Sequence, residues 1–85
     1  MWSIVVGKLY PARTDREALS LALNDKETNW QPAEKRVLEK IVARDYIKGF
    51  PNGKGRIFSA PFPETIEFYT EATENGYIVS RVWLS

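Results

Sequence analysis

The chain has 85 residues, of which 44% are apolar, 27% charged and 13% aromatic, and its net charge is +1. It contains neither cysteine nor histidine. That excludes a disulfide frame, thiolate or imidazole zinc ligands, a cysteine nucleophile and a histidine-based triad. The expectation is one compact domain over residues 1–85, with no cofactor and no metal.

Apolar runs such as Ile4-Val5-Val6 fall far short of the roughly 20 residues that span a bilayer. The start, Met1-Trp2-Ser3-Ile4, lacks a basic stretch followed by an apolar one, so no signal peptide is expected. A cytoplasmic location without a membrane partner follows as an expectation.

Residues 2–10 (WSIVVGKLY) are apolar on both faces and predict an interior strand. Gly7 marks a bulge or a close backbone contact, and Pro11 ends the strand. Thr14 to Asn24 predicts a short helix opened by the capping box Thr14-x-x-Glu17. Its apolar stripe is Ala18, Leu19, Ala22 and Leu23, with Leu21 near the edge. Pro32 to Arg44 predicts a second helix, with proline in the first turn and Val37, Leu38, Ile41 and Val42 on one face. Trp30, just before it, is expected to fold onto the core.

Phe50 to Gly55 (FPNGKG) reads as a turn, and Arg56 to Ala60 as a short strand with which Tyr46 to Phe50 can pair. Residues 63–75 are ambiguous. Pro63 at the start, Gly76 as a C-cap and the spacing of Phe62, Ile66 and Tyr69 favour a third helix. The alternative is a strand over Thr65 to Ala72, with Glu74-Asn75-Gly76 as a hairpin turn. Tyr77 to Leu84 predicts a final strand. The fold class is therefore α+β: three to four mostly antiparallel strands in the order β-α-α-β-α-β, with the helices on one face. A winged helix is not supported. It needs a helix directly before residues 63–75, where Pro51, Asn52, Gly53 and Gly55 stand.

The near-zero net charge hides segregation. Residues 35–56 carry seven positive and two negative side chains, whereas residues 57–85 carry one positive and four negative. Arg36, Lys40, Arg44 and Lys48 are spaced by four and form a cationic ridge if helical. Lys54 and Arg56 extend it, and Phe50 offers a stacking face. Such a strip suits phosphates or the acidic side chains of a partner. Glu64, Glu67, Glu71 and Glu74 are expected as a solvated helix face, without the further ligands that a metal site needs. A phosphate loop of the Walker type is absent. Trp83, near the end of a strand that can lie at a sheet edge, is the candidate aromatic anchor.

These features predict a small non-enzymatic regulator or inhibitor that binds a protein and masks a surface of a larger complex, of the kind a phage or plasmid encodes. The alternative is a nucleic-acid binder using the basic ridge at residues 35–56. The candidate partner-binding residues are Arg36, Lys40, Arg44, Lys48, Phe50, Lys54, Arg56 and Trp83. Self-association is a further option, because opposite charges on two copies can pair.

Overall fold

The computed structural model describes residues 2–44, 47–49, 55–60 and 66–84, and within these it does not describe the side chains of residues 2–6, 44, 47–49 and 82–84. The described chain contains strand β1 (Trp2–Tyr10), helices α1 (Asp15–Leu23) and α2 (Pro32–Arg44), and strands β2 (Ile47–Gly49), β3 (Gly55–Ser59), β4 (Ile66–Thr73) and β5 (Gly76–Leu84). It is an α+β fold in which one five-stranded sheet, ordered β1-β5-β4-β3-β2, is antiparallel at every pairing.

Local chemistry accounts for both helix starts. Thr14 has an extended backbone, and its hydroxyl accepts the Glu17 N–H at 3.1 Å. Glu17 reaches back to the Arg13 N–H at 3.4 Å, one residue before the position a strict capping box would use. At α2 the Gln31 carbonyl accepts the Lys35 N–H, and the Glu34 carboxylate accepts the Gln31 N–H at 2.8 Å. Pro32 takes the first helical position, where no amide is needed.

Residues 66–73 correct the expected third helix: they form a strand. A helix would have put Phe68 away from the stripe containing Ile66 and Tyr69. In the strand, Ile66, Phe68 and Thr70 alternate onto the covered face and are all buried. Glu74 and Asn75 form the two-residue hairpin loop, with Thr73 paired to Gly76. Gly76 has φ +137°, and a Cβ there would strike the Tyr10 carbonyl, so it serves the hairpin rather than a helix C-cap. The element order is thus β-α-α-β-β-β-β.

Two further expectations change. Strand β1 lies at an edge of the sheet, not in its interior, and β5 lies between β1 and β4 rather than at an edge. The register of β1 against β5 shifts between Val5 and Lys8, the stretch around Gly7 where the sequence suggests a bulge or a close backbone contact. A Cβ on Gly7 would clash with the Ser80 side chain and the Val79 carbonyl. Across the shift, Lys8 and Tyr10 fall in phase with Val5 instead of Ile4, because all three pair with the Tyr77, Val79, Arg81 set.

The core forms between that set's face of the sheet and the helices. Phe58, Phe68, Val79 and Tyr10 from the strands meet Ala18, Leu19, Ala22, Val37, Leu38 and Ile41 from the helices. Trp30 packs against this cluster as expected, with its ring edge-on to Phe68 at 5.5 Å and its Nε1 donating to the Ala22 carbonyl at 2.8 Å. Residues 47–49 pair with β3, as the sequence suggests. The Phe50–Lys54 turn lies outside the described residues.

Candidate functional site

The predicted basic strip is only partly assembled among the described residues. Arg36 is exposed and Lys40 partly exposed, four residues apart on α2, and neither is free of partners. Arg56 stands on β3, where its Nε meets the Asp15 carboxylate at the start of α1 at 3.2 Å. That pairing commits the guanidinium to holding α1 over the sheet. The side chains of Arg44, Lys48 and Trp83, and all of Phe50 and Lys54, lie outside the described residues. The backbone of Trp83 pairs with both Ser3 and Ile66, so it does not sit on an edge strand.

The acidic set is not a solvated helix face. Glu67 is buried, Glu71 accepts the Tyr69 hydroxyl at 2.9 Å, and Glu74 is in the hairpin. Glu64 lies outside the described residues. Among the described residues no group of three or more acidic side chains is placed to hold a metal ion. No described helix is long and apolar enough to cross a membrane.

Two polar networks stand out instead, and both converge on the turn between α1 and α2. In the first, fully buried Glu34 receives Arg81 Nη1 on both carboxylate oxygens, at 3.0 and 2.9 Å. The guanidinium also lies 5.3 Å from the Trp30 ring. The capping role of Glu34 and its partner on β5 therefore lock α2 to the sheet.

In the second, Asp25 is the hub. Its Oδ2 accepts Lys8 Nζ at 2.7 Å, the Tyr10 hydroxyl at 2.8 Å and the Thr28 hydroxyl at 3.0 Å. Its Oδ1 accepts the Glu27 N–H at 2.9 Å, closing an Asx-turn. The Lys8 hydrogen bond, followed by that of Tyr10, holds the Asp25 carboxyl well below the usual carboxylate range. In return, Asp25 pushes the Lys8 ammonium upward. Burial first, and the bond to Asp25 second, push Tyr10 up.

The pinned turn separates two concavities. One, of about 500 Å³, lies between the end of β1 and α1, and its lining includes Leu9, Pro11, Leu21, Lys26 and Glu27. Leu9 and Leu21 are 43% and 41% exposed and are the large hydrophobic residues left open among those described. The other, of about 410 Å³, is lined by Asn24, Thr28, Asn29, Trp30, Lys26 and Lys35, with Asp25 and Leu23 completing it. Asn24, Asp25 and Lys26 line both, so the two adjoin at the turn.

Sequence reasoning placed Leu21 at the margin of its helical stripe and counted Lys35 within the basic segment 35–56, but singled out neither Leu9 nor Lys26. The signal available was the break in alternation at Gly7, which changes which residues of β1 share a face. No family model matches the chain, and no curated protein or solved structure does either.

Proposed function

We propose that this chain is a non-enzymatic protein-binding domain, a small cytoplasmic regulator or inhibitor that masks a surface of a larger complex. The observation that carries this reading is a groove beside the edge strand β1 whose lining includes the two exposed leucines, Leu21 on α1 and Leu9 at the end of β1. Exposed apolar residues along a concavity with a charged rim suit a protein partner. The turn that shapes the groove is held in place before any partner arrives, because Asp25 ties it to β1 through Lys8 and Tyr10. Preorganisation of this kind lowers the ordering cost of binding. The nucleic-acid alternative draws less support, since Arg56 of the predicted ridge is engaged by Asp15.

The test is affinity capture from the native host with nuclease present, comparing the wild type with a Leu9→Asn/Leu21→Asn double variant. A protein retained by the wild type and absent from the variant is the expected result. Material that nuclease removes entirely, or a protein set identical on both baits, overturns the proposal.

A further inference from the structure

We propose that the turn between α1 and α2 selects an acidic segment of the partner, with Lys26 and Lys35 receiving its carboxylates while Leu9 and Leu21 take the apolar side chains beside them. This rests on the docking reading above and adds the chemistry of the occupant. Lys26 and Lys35 are both exposed, and among the described residues neither has an ion-pair partner. They line one concavity together with Asn24, Asn29 and Thr28. The one carboxylate in that lining, Asp25, is already neutralised by Lys8 and saturated by the Tyr10 and Thr28 hydroxyls and the Glu27 amide.

Two ammonium charges therefore stand uncompensated around a polar recess, and Lys26 also lines the adjoining groove of the exposed leucines, where the Glu27 carboxylate is met by Lys8 at 3.4 Å. Uncompensated cations beside an apolar groove complement carboxylates alternating with apolar groups. A basic segment would face repulsion there. A second copy of this chain is a poorer fit. The β1 ladder is interrupted between Val5 and Lys8, and Pro11 has no amide, so only a short stretch of edge is left for strand-to-strand pairing. A stable dimer buries at least about 1,200 Å² in total.

The probe is a short fluorescein-labelled peptide alternating glutamate and leucine, titrated against the full chain by anisotropy, with a lysine–leucine peptide and a single-stranded oligonucleotide alongside. Binding of the acidic peptide alone is expected, weakening as salt rises. Lys26→Glu/Lys35→Glu should weaken it by at least about tenfold, equivalent to about 1.4 kcal/mol. Lys26→Arg/Lys35→Arg should retain it, and both variants should keep the thermal unfolding midpoint of the wild type. Equal binding of both peptides, preference for the oligonucleotide, or no binding overturns the inference. So does concentration-dependent dimerisation that Leu9→Asn abolishes. If a captured host protein is lost with Leu9→Asn/Leu21→Asn yet unaffected by Lys26→Glu/Lys35→Glu, the acidic selectivity fails while the docking reading stands.

Discussion

Glu34–Arg81 and Lys8–Asp25 both tie the helical layer to the sheet, yet their surroundings differ. Glu34 is fully buried, its carboxylate is occupied by Arg81 and the Gln31 amide, and Trp30 lies beside the guanidinium. The Lys8 side chain is about half exposed. In the first pair, low polarity strengthens the attraction and makes loss of either member costly. In the second, water and salt screen the ammonium, and the network relies on the number of donors around Asp25. One pair is an internal fastener, while the other shapes the surface on which the proposed partner docks.

The largest effect should come from Arg81→Met. It leaves Glu34 charged and buried without its partner, a situation that costs about 3–5 kcal/mol. Urea unfolding measures this as a lower midpoint with an unchanged slope. Combining Arg81→Met with Glu34→Leu should recover most of the loss, because two apolar groups remove the stranded charge. If the single and double variants unfold alike, the pair is not an internal fastener.

A buried polar group without a partner sharpens the same contrast. Thr70 lies on the covered face of β4, and its hydroxyl has no hydrogen-bond partner among the described residues. Thr70→Val preserves the shape and removes the unmet hydroxyl, and should raise stability by about 1 kcal/mol. An unfolding midpoint lowered by this change would mean that the hydroxyl is satisfied.

A smaller change is expected at Arg56–Asp15, whose arginine side chain is 43% exposed. Arg56→Gln should cost less than about 1 kcal/mol after screening. Its effect should shrink further when thermal unfolding is repeated in high salt.

Much of the fold was legible because short-range chemistry decides it. Thr14 and Glu17 mark the start of α1, and Pro32 with the Val37–Val42 stripe marks α2. Residues 66–73 were harder, since Pro63 and Gly76 are compatible with either a helix or a hairpin. The ladders to β3 and β5 decide between them, and those pairings are non-local. Long-range pairing also sets which strands lie at the edges, so the sequence misplaced β1 and β5. For the same reason it offered Arg56 as a free cation, although Asp15 is 41 positions away along the chain and becomes its neighbour only on folding. Lys26 and Lys35 carried no periodic signal. Their importance arises because Lys8 neutralises Asp25 from a distant strand.

The exposed pair should have the smallest effect at neutral pH and reveal itself through titration. The Asp25 carboxyl is depressed in the folded state, so it contributes stability above its unfolded value and loses that contribution as pH falls below about 4. Lys8 and Tyr10 are shifted upward, so their contributions are present at neutral pH and are lost as pH rises beyond about 10. Asp25→Asn keeps an acceptor in place but removes the charge. It should lower the thermal unfolding midpoint modestly at pH 7, where the wild-type charge contributes but is screened, while flattening the acid limb of the stability curve and weakening the alkaline one. An acid limb as steep as the wild type's would assign that pH dependence to other carboxylates. The turn would then owe its position to the neutral hydrogen bonds of Tyr10, Thr28 and the Glu27 amide alone.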